Sequence, residues 1–267
     1  MLVLMEAAGW AAIRPTRADG RAALVEFGLT TAFMATVFTL VRWGMGPMAP
    51  GATVTELRLR VLVVSALVGV VIVGFATSPP GRFSGAHMNP AITLGLFASG
   101  SVPARRVPPY LAAQGAGSIA ATVVTRLVWG PAVSGQPVRW AVVQPGTGWT
   151  ATSVAVAEAT TLAVIVAVMC CVTAGRAHWP LARIVGALFG LQGAALGTLT
   201  GGSANPARQL GPALFSGEVR LLAVYLLAPV AGGVLAGWTV RGVRAGLRTR
   251  PLVGSFPGYP GRRGLIR

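Results

Sequence analysis

Five stretches of this chain run for 18 to 24 residues without one Asp, Glu or Arg: Val61–Gly81, Val107–Thr125, Trp140–Ala157, Ile184–Ala207 and Leu221–Val240. A sixth, between Arg21 and Arg42, is broken only by Glu26. A hydrocarbon core about 30 Å thick takes roughly 20 apolar residues of helix. The pattern therefore asks for a bundle of membrane-crossing helices. Composition agrees, since 54% of the 267 residues are hydrophobic and only 10% charged, against about 25% charged in a soluble domain.

The net charge of +16 would suggest a nucleic-acid partner in a soluble protein. In a membrane chain it reads as topology. All 22 basic residues are arginine. With both termini cytoplasmic, 15 of them fall on the inner side, among them Arg14, Arg17, Arg21, Arg82, Arg105, Arg106, Arg176 and Arg183, and seven from Arg241 to Arg267. Six (Arg42, Arg58, Arg60, Arg126, Arg139 and Arg220) fall outside, and Arg208 stands apart. That is the positive-inside bias of a plasma-membrane protein. It excludes nucleic acid as a partner, while the basic tail suits anionic lipid. Cys170 and Cys171 are adjacent, and His87 and His178 are isolated, so no metal site or disulfide framework is expected. Glu6 in the first apolar run, with no basic residue before it, argues against a cleaved signal peptide.

Apolar length and Gly/Pro punctuation predict six spans, near 22–42, 59–78, 107–129, 151–174, 181–200 and 220–240. Two further apolar pieces, Asn89–Ser99 and Asn205–Ser216, are only long enough to reach halfway across. The order is span, span, half-span, span, and then the same again, with Glu26 and Glu158 in the opening helix of each half. An odd number of spans per half inverts the second copy relative to the first, so the half-helices meet near the midplane. The expected fold is an all-α membrane protein, six transmembrane helices and two half-helices in an inverted repeat. Repeat one covers about 21–130 and repeat two about 150–241 of a channel domain at 21–241. Cytoplasmic tails at 1–20 and 242–267 flank it.

Each half-helix opens with Asn-Pro-Ala: Asn89, Pro90, Ala91 and Asn205, Pro206, Ala207. Asn is among the best N-caps, because its side-chain oxygen accepts a first-turn N–H. Proline suits the next position, where its missing N–H was an orphan. With each amide oxygen committed to its cap, the two NH₂ groups are left as donors between the opposed helix ends. Both ends also carry partial positive charge. Such a site repels cations and holds a neutral oxygen, the chemistry of a pore for uncharged polar solutes.

These residues resemble the aquaporin, or major intrinsic protein, family. "SGAHMNPAITLG" and "GGSANPARQLGPA" are similar to its two signature loops, "AALVEFGLTTAF" to its first helix and "YLAAQGAGSIAA" to its third. The likeness covers about residues 20–240. It implies a homotetramer with one pore per subunit, passive diffusion of water and small neutral solutes, no cofactor and no enzymatic activity. It makes Asn89 and Asn205 the central donors, Arg208 the arginine of the outer selectivity filter, Glu26 and Glu158 the braces of the two loops, and His87 a loop-packing residue. An arginine in a membrane half-helix is costly unless it lines water or meets carbonyls, which fits that assignment.

In the family the other filter members sit 20 positions before the first Asn, and 12 and 3 before the second, here Gly69, Gly193 and Gly202. Three glycines beside Arg208 predict a wide filter for solutes larger than water, such as metalloid acids, glycerol or urea. Water-selective members usually carry an aromatic and a histidine there. "TSPPGRFSGAH" departs from the family pattern and leaves room for a shifted register before the first motif. Gly69, Gly193 and Gly197 also fit the small-residue pattern of helix packing. Two other readings remain: a water-selective pore, and a proton-coupled transporter working through Glu26 and Glu158.

Overall fold

The computed structural model describes residues 14–47, 50–175 and 179–249. Arg176, His178, the first 13 residues and the basic stretch from Arg250 onward lie outside the described residues. The elements are α1 (Arg17–Met45), α2 (Leu57–Thr77), α3 (Pro79–Ser84), α4 (Pro90–Ala98), α5 (Val107–Trp129), α6 (Pro131–Ser134), α7 (Ala151–Gly175), α8 (Leu181–Leu196), α9 (Pro206–Ser216) and α10 (Leu222–Thr249). Short 3₁₀ turns add to these. No strand occurs among the described residues.

Five of these helices are long and apolar enough to cross a membrane. The sixth expected span, α8, has 16 residues and stops at Leu196 rather than near residue 200. The Leu196 carbonyl there gathers the N–H groups of Leu199, Thr200 and Gly201 at 2.9–3.0 Å, which closes the helix into a turn. The span expected at 107–129 is met at both ends, while α1 and the far end of α10 run longer than expected. A capping box starts α1 at Arg17: Thr16 Oγ1 accepts the Asp19 N–H, and Asp19 accepts the Thr16 N–H. Asp19 also takes the Nε–H of Arg105 at 3.0 Å and of Arg106 at 3.2 Å, tying α1 to the start of α5. At the other end α10 continues to Thr249, carrying Arg244 on helix where a tail was expected from residue 242.

The inverted repeat is visible in the packing. Within the halves α1 packs on α5 and α7 on α10, while α2 and α8 form the seam between halves. The half-helices cross over: α4 lies against α10, and α9 against α5. Small residues permit the close contacts, at matching places. A Cβ on Gly117 of α5 would lie 3.0 Å from the Phe27 carbonyl oxygen of α1, and one on Gly232 of α10 would lie 1.9 Å from that of Ala159 on α7. Large apolar side chains such as Leu24, Leu127, Leu227 and Trp238 face outward. Glu26, Asn89, Gln114, Glu158, Asn205 and Gln209 are buried, the reverse of a soluble domain.

Candidate functional site

Each half-helix begins as its Asn-Pro-Ala demands. Asn89 and Asn205 have extended backbones (φ −155° and −154°), and their Oδ1 atoms accept the N–H of Ala91 and Ala207, both at 2.9 Å. The amide nitrogens are busier than expected. Asn89 Nδ2 donates to the Ala204 carbonyl at 2.9 Å, and Asn205 Nδ2 to the Met88 carbonyl at 3.0 Å. Each cap is therefore cross-linked to the loop in front of the other. An amide has two N–H groups, so one on each Asn stays outside the cross-link, and both residues line the central cavity.

The loops before the caps follow one backbone plan. Gly85, Ala86 and Met88 have φ of +97°, +47° and +48°, while Gly201, Gly202 and Ala204 have +86°, +58° and +44°. Four of the N–H groups these turns expose go to carboxylates. Glu26 accepts from the N–H of His87 (2.9 Å) and Met88 (2.7 Å), from the Ser84 hydroxyl (2.8 Å) and from Gln114 Nε2 (2.9 Å). Glu158 accepts from the N–H of Ser203 (3.2 Å) and Ala204 and from the Thr200 hydroxyl (2.8 Å). Tyr110 and Tyr225 finish the pattern, each donating its hydroxyl at 2.6 Å to a loop carbonyl, of Ser84 and Thr200. Tyr225 stands 20 residues after Asn205, as Tyr110 stands 21 after Asn89. Laying the halves over one another would have found it in the sequence.

The surroundings of the half-helices then diverge. His87 Nδ1 lies 3.0 Å from Thr93 Oγ1, and its ring meets that of Tyr110 edge-on at 5.2 Å. Gln114 Nε2 also reaches Thr93 Oγ1, at 3.0 Å. On the other side a connecting segment does this work. Arg208 donates from Nη1 to the Ala141 carbonyl at 2.8 Å. Gln209 takes the Val143 N–H at 2.9 Å and returns Nε2 to the Val143 carbonyl at 3.0 Å. Arg208 thus meets a carbonyl and lines the cavity.

One continuous cavity of about 600 Å³ reaches from Arg82 past both Asn-Pro-Ala motifs to Arg208 and Gln144. Gly193 and Gly202 line it. Gly69 does not, and its expected place is corrected. A Cβ there would lie 2.6 Å from the Gly186 carbonyl oxygen, so Gly69 is where α2 and α8 touch. Ser65, one helical turn earlier, lines the cavity instead, and its hydroxyl sits 2.7 Å from where a Cβ of Gly193 would be. Ungapped counting back from Asn89 could not reveal this, because it says nothing of which face of α2 meets α8. Gln192, also on the cavity wall, carried no sequence signal. No cluster of metal-ligating side chains occurs among the described residues.

Fold and site together define a helical membrane protein built as an inverted repeat around a largely apolar cavity that holds the two Asn caps and Arg208. The comparisons with known proteins say which. The family model described as major intrinsic protein matches residues 18–240. The chain belongs to that family. It is 37% identical over 165 residues to "Aquaporin NIP1-4" of Oryza sativa subsp. japonica, which is 61% of this chain and 59% of that protein. With "Probable aquaporin NIP7-1" of Arabidopsis thaliana it shares 32% over 192 residues, or 70% and 65%. The match thus spans less than two thirds of the length of these relatives. Its backbone superposes on the X-ray structure of the aquaglyceroporin from Plasmodium falciparum with a TM-score of 0.70, covering 86% of this chain and 98% of that one. At 20% identity that likeness speaks for the fold alone.

Proposed function

We propose that the chain forms a passive pore for water and small uncharged solutes that excludes ions and protons. The observation that carries this reading is the meeting of two capped helix N-termini, each Asn locked to the opposite loop, on a single cavity guarded by Arg208. Partial positive charge from both helix ends and the full charge of Arg208 oppose cations, while the free amide N–H groups offer a neutral oxygen partners. Membership of the major intrinsic protein family and relatives named as aquaporins support it.

Glu26 and Glu158 act as braces in this reading, since each carboxylate is engaged by at least three donors from the loop it supports. His87 packs its loop. Arg208, Gly193 and Gly202, joined by Ser65 in place of Gly69, form a filter poor in side chains, suited to solutes larger than water such as glycerol, urea or metalloid acids. A channel domain at 21–241 with cytoplasmic tails, a homotetramer in the plasma membrane and the absence of enzymatic activity complete the proposal.

Proteoliposome shrinking followed by light scattering tests it. Facilitated flux of water, glycerol, urea and boric acid is expected, unchanged by an imposed pH gradient. Concentrative uptake driven by that gradient would overturn the passive reading in favour of proton coupling through Glu26 and Glu158. Fast water flow with every larger solute excluded would overturn the wide filter.

A further inference from the structure

Gln192 is only 8% exposed, yet its amide nitrogen has no hydrogen-bond partner. It lies on α8 beside Gly193 and lines the same cavity as Arg208. The neighbouring glycine explains its placement: a Cβ on Gly202 would lie 3.2 Å from Gln192 Nε2. The carboxamide thus takes up the space that a side chain at 202 would fill. Buried amides are almost always bonded, and one left open in a membrane protein is costly to retain.

Resting on the pore reading above, we infer that Gln192 is a specificity-determining residue, whose carboxamide receives the hydroxyl groups of a passing neutral solute. Arg208 cannot do this alone. A guanidinium only donates, and one of its N–H groups is already given to Ala141. A hydroxyl group both donates and accepts, so it needs an acceptor as well. The carboxamide provides both, through Oε1 and Nε2, and the Ser65 hydroxyl lies on the same wall. Solutes carrying two or more adjacent hydroxyls, whether polyols or undissociated oxyacids, bridge Arg208 and Gln192. Water loses less when one of those partners is removed, because it is small enough to bond elsewhere.

The test compares wild type with Gln192→Met, which keeps length and removes polarity, and Gln192→Asn, which withdraws the amide by one carbon. Glycerol and boric acid serve as probes in proteoliposomes. Each variant is expected to lower permeability to both about fivefold, the worth of one neutral hydrogen bond, while water flow stays within about twofold. A fall for glycerol alone, or for boric acid alone, marks polyols or oxyacids as the class received. An unchanged solute-to-water ratio in either variant that inserts overturns the assignment. Wild type gives a check that no folding defect blunts: after subtraction of bilayer leak, 1,2-propanediol passes faster than its isomer 1,3-propanediol, whose hydroxyls are not adjacent, and the reverse order overturns it too. Wild-type vesicles no more permeable than empty ones would bring down the pore reading itself, an outcome distinct from an unchanged ratio.

Discussion

The two half-helix regions, residues 84–98 and 200–216, share a backbone and the groups that brace it, and differ in the rest of their surroundings. Both carry a glycine-led left-handed loop, an Asn cap, a bracing glutamate and a tyrosine hydroxyl on the first loop carbonyl. Around the first, the wall is made of side chains: Gln114 holds both Glu26 and Thr93. Around the second, Arg208 and Gln209 hold a connecting segment through Ala141 and Val143. The third position after the Asn is Ile92 in one half and Arg208 in the other. What repeats is the means of holding two helix ends together. What does not repeat is the chemistry facing a solute.

The largest way to break the comparison is to remove a brace. Glu26→Leu leaves four buried donors without an acceptor, and Glu158→Leu leaves three. Each orphaned group costs about 1–3 kcal/mol. Both variants should lose at least 3 kcal/mol or so, read as a fall in thermal midpoint of the purified protein, and Glu26→Leu should fall further. Equal losses would mean that the Gln114 bond contributes nothing.

Next is Arg208→Ile, which copies the first half into the second. A unit charge about 4 Å from a passing cation is worth roughly 4 kcal/mol at an effective dielectric constant of 20. Losing even a third of that raises proton or cation leak about tenfold, measured with a pH-sensitive dye inside vesicles. Leak at the wild-type level would place ion exclusion wholly in the paired helix ends.

Gln209→Ala is a smaller change that separates the two walls. It frees the Val143 backbone, costs about 1–3 kcal/mol locally, and should speed amide exchange across residues 141–144. The matching change, Thr93→Ala, should leave that segment alone. Smallest are Tyr110→Phe and Tyr225→Phe, each losing one bond of about 1 kcal/mol. Their thermal midpoints should fall by the same amount, and a clear inequality would show the two loops to be unequally supported.

Much of this was legible in the sequence, because it rests on local rules. An Asn followed by Pro at the head of an apolar stretch is a capped helix wherever it lies, and a glutamate in an apolar helix must find donors. Gly69 shows where such rules stop: a glycine reads the same whether it opens a pore or admits a neighbouring helix. The segment at 139–146 has no helical period, and only the fold reveals that Gln209 pairs with its backbone. Gln192 was invisible for the same reason, since its meaning lies in the missing side chain of Gly202 packed beside it.

The crossing of the half-helices sets a timetable for synthesis. The chain is made from its N-terminus, yet α4 lies against α10, the last helix among the described residues. Asn89 likewise gives its amide to Ala204, 115 positions later. The first half-helix therefore lacks its seat until α10 has been made, and its cap lacks a partner until Ala204 has been. A chain cut short before α10 leaves no smaller version of the pore.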